Sequence, residues 1–310
     1  MIARRLAVQA LAGGLASVLG LRPVRAANAP IRIAAPALDS TALAFYADDL
    51  GLFRAAGLDV ELQTMANGET VTTALTGGAI DIGCSQAVSV IVAYKKGLPL
   101  TIIGAAGQQA PNAPVGMLFV PRSSTAQTGK DFNGKTVAVV GIRGLAQYGT
   151  QAWLDKTGGD SSSVKFIELS GAQIAIALAD EKIDGAFVPE PFVGSSRKVA
   201  RAITNPMEAI ALNFMSAAHF STTTWAKAHP EEIRKFQGVI RDAAIWANKN
   251  HDRSALVLER VAKVNPEVVR NAVRSYYTER MDPALLQPLI DVTAKYGGIT
   301  GFAASELLYK

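Results

Sequence analysis

From residue 31 onward, short apolar blocks alternate with apolar stripes at helical spacing, separated by polar breaks. Residues 31–35 form a compact block that predicts a strand, and Pro36 ends it. Asp39-Ser40-Thr41 then offers N-cap residues to a helix carrying Leu43, Phe45, Tyr46 and Leu50, with Gly51 helping to close it. Over residues 58–64 the period drops to two: Leu58, Val60 and Leu62 face one way, Asp59, Glu61 and Gln63 the other. Ala66-Asn67-Gly68 turns into the next helix, after which 80–83 reads as a buried strand, 87–96 as a helix and 100–105 as a strand. This alternation predicts a parallel sheet covered by helices.

Residues 107–114, rich in Gly, Gln, Pro and Asn, read as a loop near a lobe boundary, and 117–120 as a further strand. The alternation then restarts with a strand at 136–140, the turn Gly141-Ile142-Arg143-Gly144, a helix at 145–156 and a strand at 164–169. An internal echo links the two halves. Residues 69–86, ETVTTALTGGAIDIGCSQ, align with 173–190, QIAIALADEKIDGAFVPE, so that Ala74 falls on Ala177, Leu75 on Leu178, Ile80 on Ile183 and Asp81 on Asp184. Each copy predicts a helix running into a buried strand. The expectation is two similar α/β lobes whose strand ends, Cys84-Ser85-Gln86 and Pro189-Glu190-Pro191, face the same space. Around 209–220 the chain is expected to return to the first lobe. Beyond Pro230 the pattern is helical, with Phe236, Val239 and Ile240, then Ala244, Ile245 and Ala247, on one face. Pro266 and Pro283 each stand where they can open a helix.

The N-terminus does not belong to this pattern. Arg4 and Arg5 precede an apolar run over residues 6–21, and Ala27-Asn28-Ala29 follows as a small-x-small cleavage site, the signature of a secretory signal. The run is too short and too rich in Gly and Ala for a transmembrane helix. The surroundings of the Arg pair match twin-arginine export poorly. Removing residues 1–29 takes away Arg4, Arg5, Arg22 and Arg25, leaving 27 basic against 26 acidic residues, or +1. A near-neutral chain without basic clusters argues against a nucleic-acid partner. The single Cys84 excludes an internal disulfide and a thiolate metal cluster, and no Cys follows the signal to carry a lipid anchor. His219, His229 and His251 lie far apart and without metal-helix spacing. Neither a metal nor a cofactor is expected.

Several stretches together resemble the nitrate, sulfonate and taurine group of ABC-transporter substrate-binding proteins, which also includes binders of thiamine-precursor pyrimidines. They are residues 40–52, Gly57-Leu58-Asp59-Val60-Glu61-Leu62, residues 74–85, Lys96-Gly97-Leu98-Pro99, residues 131–139 and Glu190-Pro191-Phe192. The similarity runs over about residues 31–230. It implies a type II periplasmic-binding fold, with two α/β lobes crossed twice by the chain, a hinge, a ligand cleft and a helical C-terminal region. The corresponding division is a signal peptide at 1–29, the first part of lobe one at 30–121, lobe two at 122–213, and the return to lobe one with the C-terminal helices at 214–310. It also implies a monomeric periplasmic receptor that delivers its ligand to a permease and an ATPase in the inner membrane. The same fold resembles the yeast pyrimidine synthase of thiamine biosynthesis and some menaquinone-pathway enzymes. The Cys-rich segment of the former is missing here, and an export signal fits poorly with the latter. An exported ligand sensor remains a third reading.

Candidate ligand contacts follow from the physics of helix N-termini, whose unpaired N–H groups and partial positive charge favour anions. Four such starts are predicted: Ser40-Thr41, Asn67-Gly68, Ser85-Gln86 and Gly144-Leu145. Asn67 and Ser85 serve equally well as helix caps. Arg143, in its Gly-flanked turn, is placed to grip a carboxylate or sulfonate through two parallel hydrogen bonds, or else is a solvated loop residue. Glu190 can accept from an amine, ring N–H or hydroxyl, or fix the hinge through a basic partner. Phe192 and Tyr148 can stack on a planar ligand or belong to the core. Cys84 has no nucleophile elbow or triad partners and reads as packing. Few Lys or Arg residues fall in the predicted cleft, which favours an organic molecule over a bare inorganic ion. Sulfonates, taurine, nitrate, aromatic carboxylates and pyrimidines all remain open.

Overall fold

The computed structural model describes residues 29–263 and 266–310. The expected export signal lies outside the described residues, save for Ala29.

Two five-stranded sheets organise the molecule. In the first, the order is Val60–Met65, Ile31–Pro36, Ile82–Gln86, Ala217–Thr222 and Leu100–Ala105. Ile31–Pro36 runs parallel to both of its neighbours, and Ala217–Thr222 returns antiparallel between Ile82–Gln86 and Leu100–Ala105. Because side chains alternate across a strand, Ile33, Ala35, Ile82 and Cys84 join one core, with Phe45, Phe53 and Phe236. Ala34, Ala218 and Phe220 join the core on the opposite face, with Val71, Leu75 and Ile91. Both faces are therefore dry, which explains the unbroken apolar blocks.

The second sheet has the order Ala200–Thr204, Gly116–Pro121, Gly185–Pro189, Thr136–Val139 and Lys165–Glu168. The helix Leu145–Lys156 covers one face with Trp153 and Leu154, and Gly171–Ala179 covers the other with Ile174 and Leu178. The echoed units appear as expected: Gly68–Thr76 leads into Ile82–Gln86, and Gly171–Ala179 into Gly185–Pro189. One boundary needs correction. The strand Gly116–Pro121, assigned to the first lobe by chain order, pairs with Gly185–Pro189 and Ala200–Thr204 in the second sheet. Its partners lie about seventy residues downstream, so local pattern carries no trace of the pairing.

Between the sheets lies a three-stranded ladder. Gly107–Gln109 leaves the first sheet and Phe214–Met215 comes back, paired antiparallel, and Tyr276–Tyr277 adds a third strand against Gly107–Gln109. The helices Pro230–Lys249 and His251–Ala262 pack on the first sheet, while Pro283–Gly297 touches both halves. Its Leu286, Leu289 and Ile290 share a core with Val90 and Ile91. Its Tyr296 hydroxyl donates to Asp155 of Leu145–Lys156 at 2.7 Å. No helix among the described residues is long and apolar enough to cross a membrane.

Candidate functional site

Parallel strands leave all their carboxyl ends on one edge, and in open α/β sheets ligands are bound along that edge. In the first sheet Pro36, Met65 and Gln86 end there. Ser40 and Gln86 meet, with Gln86 Nε2 donating to Ser40 Oγ at 3.2 Å. Gly68 lies against Ser85: a Cβ on it would stand 2.8 Å from Ser85 Cβ, so only glycine lets the helix start approach this closely. Ser40, Gly68, Ser85 and Gln86 therefore gather at one mouth. The remaining first-lobe candidates are engaged by their own loops. Asn67 caps its helix, its Oδ1 accepting from the Thr70 N–H at 2.9 Å, and Thr41 Oγ1 donates to the Pro36 carbonyl at 2.7 Å. Asp39-Ser40-Thr41 is not the N-cap expected from sequence. It forms a single tight turn without a side-chain cap, and the helix begins at Leu43.

At the corresponding edge of the second sheet, the turn after Thr136–Val139 leads to Gly144 and the buried Leu145, where the helix starts with no side-chain cap. Arg143 holds a left-handed backbone, φ 59°, a conformation costly for a residue with a Cβ. Its N–H donates to Gln147 Oε1 at 2.8 Å, and its exposed guanidinium has no partner among the described residues. Burial raises the pKa of the Tyr148 hydroxyl, and the nearby Arg143 charge pulls it back. Tyr148 itself is core, its hydroxyl against Gly297. Phe192 packs its ring on Gly171, where a Cβ would meet it at 2.4 Å. No hydrogen bond or ion pair joins Arg143 to Glu190.

What joins the two edges is a segment that the sequence did not single out. Arg274 grips Asp39 with both arms, Nε to Oδ2 at 3.0 Å and Nη2 to Oδ1 at 2.6 Å. Asp39 also accepts from the Ser275 N–H at 2.7 Å and from the Tyr46 and Tyr277 hydroxyls at 2.9 Å each. One residue away, the Val273 N–H donates to Glu190 Oε1 at 3.2 Å. Residues 273–277 thus strap the first strand-end edge to the second. Burial disfavours the Arg274 charge, but the Asp39 carboxylate outweighs it and holds the guanidinium above its ordinary pKa. Burial pushes the Glu190 carboxyl up to about 7; the Val273 N–H opposes the rise, the Asp39 charge adds to it, and Arg197 opposes it. The Val193 N–H also holds it down slightly, yet it makes no hydrogen bond by geometry, and Glu190 Oε2 is enclosed without a partner.

Residues 40–254 match the sequence profile described as NMT1/THI5 like. The chain belongs to the NMT1/THI5-like family. Among curated relatives, it is 22% identical over 212 residues to the 4-amino-5-hydroxymethyl-2-methylpyrimidine phosphate synthase THI11 of Saccharomyces cerevisiae, covering 64% of this chain. The chain spans about 61% of that relative's length. Solved structures share the fold at lower identity. The periplasmic aliphatic sulphonate binding protein SsuA from Escherichia coli superposes with a TM-score of 0.74 at 15% identity, over 91% of this chain and 92% of that one. The alkanesulfonate-binding protein SsuA from Xanthomonas axonopodis pv. citri, bound to MOPS, gives 0.71 at 19%, over 91% and 98%.

Within this NMT1/THI5-like chain the lone thiol and two of the imidazoles are taken up by packing. Cys84 is fully buried, and burial pushes its thiol pKa up. His219, level with Cys84 in the first sheet, lies edge-on to Phe236, and burial lowers its pKa to about 4 despite its bond to the Ala105 carbonyl. His229 stacks on Trp225 at a helix junction. Among the described residues, no three His, Cys, Asp or Glu side chains are grouped to hold a metal ion. The edges offer hydroxyls, amides, the Arg143 guanidinium and the Glu190 carboxyl, all groups that hydrogen-bond a polar molecule.

Proposed function

We propose that this protein is the solute-binding component of an ABC importer, exported to the periplasm, with its signal removed near Ala29. On this reading it holds a small organic anion or planar heterocycle between its lobes and passes it to a permease and ATPase. One observation carries the proposal. The carboxyl ends of the parallel strands in two mixed sheets are tied edge to edge through Asp39, Arg274, Val273 and Glu190, beside a ladder through which the chain crosses twice. Two lobes joined in this way can change their angle around a solute, and a solute that binds the closed arrangement better drives closure. The likeness to solved sulfonate-binding proteins supports the same reading. Ser40, Gly68, Ser85 and Gln86 form the first-lobe half of the binding site, and Arg143, Gly144, Leu145 and Glu190 the second-lobe half.

The test uses residues 30–310 in a thermal-shift screen of sulfonates, taurine, nitrate, aromatic carboxylates and pyrimidines. A ligand specific for the native state raises the midpoint by mass action, and scattering then reports a smaller radius of gyration. A strain lacking the gene loses uptake of that compound. Turnover of the bound compound by the isolated protein would instead establish an enzyme on this fold, in keeping with the name of the yeast relative.

A further inference from the structure

The helix-to-strand echo supplies an internal control for one surface. In the first lobe, Val71 and Leu75 of Gly68–Thr76 are buried, and the positions turned to solvent hold Glu69, Thr70, Thr73 and Thr76. In the second lobe, the matching Ile174 and Leu178 of Gly171–Ala179 are buried. Its solvent face, however, reads Ala172, Gln173, Ile176 and Ala179, with the half-buried Ala175 between them. Ile176 is 63% exposed, more than any other large apolar side chain among the described residues. One exposed isoleucine needs no explanation, but a face that is polar in one copy and apolar in its echo does.

One end of this face carries charge without counter-charge. Ala200 shares a core with Ile174 and Leu178, so Val199, itself 36% exposed, stands beside the helix. Arg122 Nη2 donates to the Lys198 carbonyl at 2.8 Å and to the Arg197 carbonyl at 3.4 Å. The neighbouring Ser123 Oγ donates to Glu181 Oε1 at 2.7 Å, just past the end of the helix. Arg122, Arg197 and Lys198 are all exposed, and none forms an ion pair among the described residues. Arg197 is felt by the Glu190 carboxyl without pairing to it. The acids at the same corner are engaged, Asp180 by Lys182 at 3.0 Å and Glu181 by Ser123.

Size and shape decide what covers such a face. It runs along about 10 Å of helix and offers far less than the roughly 800 Å² per partner of a lasting interface, which disfavours a stable dimer of this chain. It carries no Trp, Phe or Leu of the kind that seats a helix in a bilayer surface. Alanines instead let another protein approach closely, and a single protruding isoleucine fills a pocket. Unpaired cations beside it are matched by carboxylates on the partner's rim. We propose that this flank of the second lobe docks transiently on the permease, at an apolar groove edged with carboxylates, with Ile176 as the anchor. This inference rests on the solute-receptor reading and assigns its docking surface. Because the first-lobe counterpart is polar, the contact belongs to the second lobe.

The experiment is photocrosslinking of the full chain in the cells that encode it, with a benzophenone side chain placed at position 176, 199 or 73. The last is the first-lobe counterpart of Ile176. The expected result is that positions 176 and 199 give an adduct identified by mass spectrometry as an ABC permease subunit, while position 73 gives none. With the probe at 199, Ile176→Asp lowers the adduct about tenfold, as for loss of an interface anchor, and so does Arg122→Glu combined with Lys198→Glu. The purified variants melt as the parent does, because these side chains are exposed. Adducts from 176 and 199 with lipid only or with a second copy of this chain overturn the inference. No adduct from either position overturns it as well. A permease adduct from position 73 alone moves the docking surface to the first lobe and leaves a solute receptor. If none of the three positions captures a permease and the ligand screen also finds no solute, the receptor reading falls too.

Discussion

Arg274→Met is the perturbation that most directly tests how the two edges are joined. The Arg274 and Asp39 side chains are only 8% and 14% exposed, so neither charge is recovered by water after its partner is removed. Breaking a buried pair from one side costs about 3–5 kcal/mol. Asp39 keeps three donors, the Ser275 N–H and the Tyr46 and Tyr277 hydroxyls, so the lower end of that range, about 3 kcal/mol, is expected. Asp39→Asn alone leaves the guanidinium with the Tyr46 and Ser254 hydroxyls and is expected to cost about as much. The double variant leaves no stranded charge. It should therefore recover about 2 kcal/mol or more relative to the sum of the single variants. Urea unfolding at neutral pH measures the three changes, provided the slope stays constant. Raising the salt should alter the coupling little, since a buried pair is weakly screened. A coupling energy within about 0.5 kcal/mol of zero would refute the claim that this pair holds residues 273–277 to the first lobe.

Four further outcomes are expected. Arg143→Ala weakens an anionic ligand by about 1.5–3 kcal/mol, as for loss of a charged hydrogen bond; unchanged calorimetric affinity removes Arg143 from the site. Burial, reinforced by the Asp39 charge and opposed by the Val273 N–H and Arg197, raises the Glu190 pKa from 4.5 to about 7, so its contribution is fully present below 4.5 and is lost as pH rises through 7. The loss is at most on the order of 3 kcal/mol. Glu190→Gln should accordingly be more stable than the parent at pH 8, with the gain fading at pH 5, and equal denaturation midpoints at both pH values would contradict this. His219, with its pKa lowered to about 4, contributes stability above its ordinary 6.5 that is lost as pH falls through 4. Nitrogen-detected NMR should find its ring neutral at pH 5.5, and a titration midpoint near 6.5 would be incompatible with its enclosure. Gly68→Ala forces the new Cβ onto Ser85 at a cost of about 1–3 kcal/mol and displaces the helix start; an unperturbed melting curve would show that the contact relaxes freely.

The helix-to-strand echo was readable because it is local. Ala-Leu followed by Ile-Asp marks each unit within a dozen residues, and both cores bury the apolar positions it marks. The turn at Arg143 was readable for the same reason, with its two glycines in sequence. The strap was not, because its partners are far apart: Asp39 and Arg274 are 235 residues apart, and Asp39 reads equally well as a helix cap. The only hint was compositional, an arginine followed closely by two tyrosines between the helix-opening Pro266 and Pro283. The identity of a sheet partner is invisible for a related reason. Residues 117–120 look like a strand from their apolar run, but nothing in that run distinguishes an antiparallel neighbour in one lobe from a parallel neighbour in the other.

The helix Pro283–Gly297 constrains the kind of motion available. It presses leucines and an isoleucine into the core beneath Ala87–Lys95, while its Tyr296 hydroxyl rests on Asp155 and its Gly297 on the Tyr148 hydroxyl. A rigid rod seated on both bodies does not let them swing as a free door would. Any change of angle has to slip along one of these seams, and both are partly apolar: Leu145, Ala146 and Tyr148 of the second body share the core that holds Leu286, Leu289 and Ile290. Surfaces interlocked on both sides of one helix favour a small shear over a wide swing.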